Sequence, residues 1–206
     1  RIGAEQELAI VNNEWRPALN NLEIIEAVND DHLTTEIAKF NLEINLDPYE
    51  YTGDSLTKMH NQLEELLALV RDKAEGLGSR VILTGILPTI QKSDLHFENM
   101  TPNVRYEALN DTIAGQKGTE FELYIIGVDE LFTKHPNILF EACNTSFQVH
   151  LQVEADQFVE KYNWSQLIAG PVLAASANSP VLMGKRLWSE TRIALFQQSV
   201  VTRNSS

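Results

Sequence analysis

Arg1-Ile-Gly-Ala-Glu-Gln-Glu-Leu-Ala-Ile-Val11 is the stretch on which the reading of the chain turns. Glu5 and Glu7 are two residues apart, so in a strand both side chains leave the same face. Two carboxylates side by side repel, and a divalent cation is the natural partner to offset that repulsion. A solvated sheet face is the plain alternative. Two later segments decide between them.

Thr34–Leu46 reads as a second strand, with Phe40, Leu42, Ile44 and Leu46 on one face and Lys39, Asn41, Glu43 and Asn45 on the other. Thr145–Val153 reads as a third, where Phe147, Val149, Leu151 and Val153 oppose Ser146, Gln148, His150 and Gln152. Half-apolar strands of this kind suit an antiparallel sheet with one packed face. The polar faces hold carboxylates, an imidazole and amides with a single Lys, not the Thr, Lys and Glu mixture of an ordinary wet face. That set suits a hard cation bound through oxygen, with a His and amides to orient a nucleotide or substrate.

The 206 residues are enough for one sizeable domain, and 43% hydrophobic content can support a core. A net charge of −13 argues against nucleic acid or an anionic membrane as the main partner. It leaves room for a phosphate-bearing substrate, because bound metal ions invert the local field. The single Cys143 excludes an intrachain disulfide and suits a reducing compartment; its place before an apolar strand reads as a buried structural thiol. With no run of eighteen apolar residues and no signal-peptide pattern, the expectation is a soluble, cytoplasmic protein. Both ends read as cut: the chain opens on Arg1 already inside a strand, and Thr202–Ser206 follows an unfinished run.

Along the chain, Asn20 and Asn21 cap a short helix through Val28. Gly53-Asp54-Ser55 opens the clearest helix, striped by Leu56, Met59, Leu63, Leu66, Leu67 and Val70 and stopping near Gly76–Gly78. Arg80–Leu87 reads as a strand, Pro102–Tyr106 leads a helix to about Ala114, and Thr119–Ile126 reads as a strand. A long helix, Asp156–Ala177, is expected to kink at Gly170-Pro171, and Trp188–Val200 to be helical. His32, His60, His96 and His135 fall in loops or on helix surfaces. Trp15, Trp164 and Trp188 read as packing residues. Without repeats or linkers, residues 1–206 read as one α+β domain.

Gly3-Ala-Glu-Gln-Glu7, Asn41-Leu-Glu-Ile44, Thr84-Gly-Ile-Leu-Pro88, Asn103-Val-Arg-Tyr106, Phe147-Gln-Val-His150 and Ala177-Asn-Ser-Pro-Val-Leu-Met-Gly184 occur in one order. In that order they resemble the glutamate–cysteine ligase type 2 family, which includes bacterial carboxylate–amine ligases. The resemblance spans nearly the whole chain. It implies a glutamine-synthetase-like fold, with a curved, mainly antiparallel sheet and helices on one face, ATP and Mg²⁺ as cofactors, and small-molecule amino-acid substrates. The reaction it implies phosphorylates a carboxylate to an acyl phosphate, which an amine then attacks to give an amide. Homo-oligomerisation stays open.

By the same resemblance, Glu5 and Glu7 match the first pair of metal-binding carboxylates and Glu43 a third. His150 matches a nucleotide-side His, and Gln148 stands where some members carry another His. Arg105 matches a position suited to a substrate carboxylate, through its bidentate fork, and Arg192 one that faces phosphates or substrate. Lys39 stands four residues before Glu43, where many members have a further carboxylate, and can replace a metal ion there as a fixed positive charge. The Gly184–Arg192 spacing is one residue short. The resemblance also implies later strands with another carboxylate and phosphate-binding Arg residues, so this chain would hold half a site and be incomplete at its C-terminus. The competing expectation is a non-catalytic module of the same fold that senses an amino acid or nucleotide.

Overall fold

The computed structural model describes residues 1–117 and 121–200. The elements are β1 (Ile2–Val11), α1 (Asn21–Val28), β2 (Leu33–Thr35), β3 (Asn41–Asn45), α2 (Ser55–Gly76), β4 (Arg80–Ile82) and α3 (Val104–Lys117). There follow β5 (Phe121–Ile126), β6 (Glu130–His135), β7 (Phe147–Leu151), α4 (Phe158–Ser176), β8 (Val181–Leu182), β9 (Lys185–Arg186) and α5 (Arg192–Val200), with short 3-10 turns between. Strands β2, β3, β1 and β4 lie in that order, β7 also pairs with β1, and every pairing in this sheet is antiparallel. The α+β class therefore holds, and β5–β6 and β8–β9 add two separate ribbons.

Strand β1 is central because its two faces do different work. Ile2, Ala4, Leu8 and Ile10 join Leu42, Ile44 and Leu46 in a core closed by Ile24 and Val28 of α1 and by Met59, Leu66, Leu67 and Val70 of α2. Each such fully buried Leu or Ile contributes about 1.5–3 kcal/mol. Gly78, at φ 74°, supplies the left-handed residue that turns the chain off the end of α2. The opposite face of β1 is divided along its length. Gly3, Glu5 and Glu7 stay polar, while Ala9 and Val11 enter a second core with Phe40, Ile86, Leu95, Leu139, Phe140 and Leu195.

The structure corrects several expectations. Thr34–Leu46 is not one strand but a hairpin, β2 and β3, in which Leu33 faces Ile44 and Thr34 faces Glu43. Residues 36–40 make the connection, where Ile37, Ala38 and Phe40 are buried in the second core. Phe40 therefore packs in a different cluster from Leu42, Ile44 and Leu46. Burying that apolar turn is favourable enough to break the alternation the sequence suggested. Lys39 lies in the turn, where its Nζ donates to the Glu98 carbonyl at 2.7 Å.

Regular pairing in Arg80–Leu87 ends at Ile82, and Ile86 forms only an isolated bridge with Asn144. Strand β6 was unforeseen, and it carries His135, which is buried against Phe140 with Nε2 2.5 Å from the Leu95 carbonyl oxygen. Helix α5 starts at Arg192 rather than at Trp188. Thr119 and Glu120 of the expected strand, and the tail from Val201, lie outside the described residues. The three Trp residues are substantially exposed: Trp15 stacks under the Arg80 guanidinium, and Trp188 Nε1 donates to the Ile126 carbonyl at 2.8 Å. Phe147, Val149 and Leu151 are also half exposed, and Phe147 and Val149 line an open groove with Leu56, Met59 and Leu63 of α2. Among the described residues no helix is long and apolar enough to cross a membrane.

Candidate metal centre

Strand register brings the polar side chains together. Glu7 stands opposite Glu43 on β3, and Glu5 lies between Asn45 on β3 and Gln148 on β7, with His150 opposite Gly3. Residues directly opposite in an antiparallel ladder share a face, so Glu5, Glu7, Glu43, Gln148 and His150 all project to one side. This side is opposite the one covered by α1 and α2.

At its centre, Glu7, Glu36 and Glu43 each place a carboxylate oxygen within 4.8 Å of the others. Glu36 is the member the sequence reading missed. It follows β2 by one residue, and the hairpin folds it back beside Glu43. The partly buried Glu7 is the most firmly fixed. Ser146 N–H donates to its Oε2 at 2.6 Å, Ser146 Oγ to the same oxygen at 3.1 Å, and Gln148 Nε2 to Oε1 at 3.2 Å. Glu43 Oε1 accepts from Asn45 Nδ2 at 2.9 Å and from Thr34 Oγ1 at 3.2 Å.

The electrostatics show a cluster short of positive charge. Burial, with the charges of Glu7, Glu43 and Glu141, pushes the Glu36 carboxyl up to about 8. Glu141, in the 3-10 turn Ile138–Cys143, is raised to about 7 by burial and by the charge of Glu7. Burial also raises Glu7, outweighing the Ser146 and Gln148 hydrogen bonds, and Glu43 adds to the rise. Carboxyl groups held this close, with Glu7, Glu36 and Glu141 raised by burial and by neighbouring negative charge, would be relieved by a cation.

The donor set fits a hard divalent ion. Metal–oxygen bonds of 2.0–2.1 Å would set neighbouring ligand oxygens of an Mg²⁺ roughly 2.9 Å apart. The oxygens of Glu7, Glu36 and Glu43, all within 4.8 Å of one another, would have to draw together by side-chain rotation to hold such an ion, and water or substrate oxygens would fill the remaining positions.

The remaining sequence candidates surround this centre unequally. His150 Nε2 lies 3.2 Å from Glu5 Oε1, beside a cavity of about 260 Å³ lined by Gly3, Asn45, Leu46, Pro48 and Gln152. Arg105 is exposed on the first turn of α3, and among the described residues its guanidinium has no hydrogen-bond partner. Its neighbour Tyr106 donates to the Thr35 carbonyl at 2.6 Å, and burial together with the charges of Glu36 and Glu43 raises that phenol. The Arg105 charge also acts on that phenol, in the opposite direction. Lys39, bound to the Glu98 carbonyl, does not join it. Arg192 is held by Glu190, with Nε to Oε1 at 2.5 Å and Nη2 to Oε2 at 2.7 Å, while Nη1 donates to the Thr145 carbonyl at 2.9 Å. Cys143 is buried, and burial pushes its thiol far up, as a structural cysteine requires.

Against this geometry, the family model for glutamate-cysteine ligase family 2 matches residues 1–205. The chain belongs to glutamate-cysteine ligase family 2. The match takes in every strand of the polar face and the whole of the carboxylate cluster, so the glutamate-cysteine ligase family 2 assignment and the acidic centre concern the same part of the molecule. The family points to a ligase that joins a carboxylate to an amine. Among curated proteins none matches this chain.

Proposed function

We propose that this protein is an ATP- and Mg²⁺-dependent carboxylate–amine ligase of the glutamate–cysteine ligase type, built on a glutamine-synthetase-like sheet. The observation that carries the reading is the convergence of Glu7, Glu36 and Glu43 on one sheet face, in a chain whose family is a ligase family. Such a reaction brings the phosphates of ATP against a substrate carboxylate, and that approach must be neutralised. Bound Mg²⁺ would supply charge neutralisation and alignment of the transferred phosphoryl group.

The chain's own residues have distinct parts in this scheme. Glu7, Glu36 and Glu43 hold the cation, and Ser146 and Gln148 fix the orientation of Glu7. Glu5 and His150 border the adjoining cavity, on the side assigned to nucleotide. Arg105, whose exposed planar fork follows Asn103 on the first turn of α3, receives the carboxylate of an amino-acid substrate. The acid is activated as its acyl phosphate, and attack by the amine forms the amide and releases phosphate. The partners are thus small amino acids rather than nucleic acid or membrane, and a cytoplasmic setting with a plentiful ATP supply suits the reaction.

Phosphate release from ATP by the full-length protein, measured across a panel of amino-acid pairs, tests this reading. The expected result is release that requires both Mg²⁺ and an amino acid and falls sharply in Glu7→Gln. Saturable amino-acid or nucleotide binding without phosphate release under any pair would replace the ligase by a sensor of the same fold.

A further inference from the structure

The Glu190–Arg192 pair lies outside the carboxylate cluster, yet it is among the most completely bonded polar groups in the structure. Glu190 is buried, and its Oε1 accepts from Arg192 Nε at 2.5 Å and from Ser179 Oγ at 2.5 Å, while Oε2 accepts from Arg192 Nη2 at 2.7 Å. Ser179 Oγ in turn accepts from the Arg192 backbone N–H at 3.3 Å. Every donor of the guanidinium fork facing Glu190 is used. Arg192 therefore leaves one nitrogen, Nη1, to reach elsewhere, and it reaches the Thr145 carbonyl at 2.9 Å.

Thr145 is a junction. Its N–H donates to the Gly85 carbonyl at 2.9 Å, and its hydroxyl donates to the Thr84 carbonyl. The next residue, Ser146, supplies two of the three hydrogen bonds that hold Glu7, and its carbonyl accepts from the Glu7 N–H at 2.9 Å. A continuous bonded path thus runs from Glu190 through Arg192, Thr145 and Ser146 to the Glu7 carboxylate. Gly85 completes the packing. A Cβ there would fall inside contact distance of Asn178 Oδ1 and 2.8 Å from Arg192 Nε, so the close seat of the guanidinium depends on a residue without a side chain.

We infer that Arg192 is a positioning residue rather than a substrate ligand: clamped by Glu190 and seated on Gly85, it fixes the Thr145–Ser146 carbonyl and amide that aim Glu7 at the cation. This rests on the reading of the Glu7 cluster as the cation site of a ligase. The bidentate geometry carries the argument, because a planar fork with two bonds to one carboxylate sets both the position and the plane of Nη1. An ammonium at the same place supplies charge without that direction.

The test uses the full-length protein and Mn²⁺ as probe, with affinity read by titration, folding by the thermal transition of the metal-free protein, and activity by phosphate release. Three variants separate the possibilities: Arg192→Gln, Arg192→Lys and Gly85→Ala. All three are expected to bind Mn²⁺ roughly ten- to a hundredfold more weakly, the range for losing a group that orients a metal ligand. Exchange of the Ser146 amide hydrogen should be faster in each. The apparent KM for amino-acid substrate, measured at saturating Mg²⁺, should stay near that of the unaltered protein.

Wild-type Mn²⁺ affinity in a folded Gly85→Ala or Arg192→Gln variant overturns the inference, as does recovery in Arg192→Lys, which would mean that charge alone is needed. A selective rise in substrate KM with unchanged Mn²⁺ affinity makes Arg192 a substrate ligand and also overturns it. If neither Gly85→Ala nor Arg192→Gln folds, the pair is a general strut and the inference fails. Failure of the underlying ligase reading is distinguishable, because unaltered protein would then bind no Mn²⁺ at the cluster or release no phosphate.

Discussion

Glu36→Gln tests the electrostatics of the cluster from an unexpected direction: it should stabilise the metal-free protein. In the folded chain the surroundings push the Glu36 carboxyl up to about 8, from an ordinary value of 4.5. Burial is the main cause, followed by the charges of Glu7, Glu43 and Glu141. Because the folded value is the higher one, folding favours the protonated form. The resulting stability is fully present below pH 4.5 and is lost as pH rises towards 8. Glutamine resembles the protonated acid in shape and cannot ionise, so the substitution removes the loss.

The full span corresponds to a ceiling of about 5 kcal/mol at 1.36 kcal/mol per pH unit. Glu36 is only partly buried, so water screens a share of this, and about 2 kcal/mol is expected at pH 8. In a chain of this size that corresponds to a rise in melting temperature of roughly 4–8 °C. Thermal melts in a chelator at pH 5 and pH 8 read the effect, followed by melts with Mg²⁺ added. The variant should melt higher than wild type at pH 8, show little difference at pH 5, and lose most of the Mg²⁺-dependent stabilisation seen in the wild type. A variant less stable than wild type at pH 8, or equally shifted at both pH values, would refute the reasoning.

Three further outcomes follow from the same geometry. Glu7→Gln keeps the shape of its side chain but removes the charge, and turnover should fall roughly ten- to a thousandfold, with phosphate release as the assay. Arg105→Ala should raise the KM for amino-acid substrate while leaving the melting temperature within about 1 °C, since the exposed guanidinium has no hydrogen-bond partner among the described residues; an unchanged KM would remove Arg105 from the substrate site. Cys143 should resist thiol reagents in the native protein at pH 8 and react only on unfolding, because burial disfavours its thiolate; rapid native labelling would contradict its placement.

How much of this was legible in the sequence depended on whether local alternation survived the fold. On β1 it did. Ile2, Ala4, Leu8 and Ile10 mark the packed face and Glu5 and Glu7 the other, so both the sheet and half of its acidic face could be read from spacing two. On Thr34–Leu46 it did not. Counting by twos through one strand puts Glu36 and Glu43 on opposite faces, whereas burial of Ile37, Ala38 and Phe40 folds the segment into a hairpin and brings the two carboxylates together. The same turn takes Lys39 out of the site. A tertiary contact, Phe40 against the second core, thus decides a chemical question that no local pattern holds.

Glu141 escaped notice for a related reason: it lies on an irregular 3-10 turn with no period to read, and it matters only because that turn packs beside Glu7. Strand β6 could have been found. Leu131 and His135 are buried at spacing four while Phe132 is exposed, and Gly127 precedes them as a turn signal. The apolar side of β7 was readable as apolar but not as exposed, since the sequence does not say what lies across from Phe147 and Val149.

The most direct test of the account is a Mn²⁺ titration of the metal-free full-length protein, with free ion followed by its electron paramagnetic resonance signal. The account predicts saturable loss of the free-ion signal, competed by Mg²⁺ and abolished in the Glu36→Gln, Glu43→Gln double variant. Mn²⁺ that stays free in the unaltered protein, or binding that survives removal of both carboxylates, would contradict the claim that Glu7, Glu36 and Glu43 form a cation site.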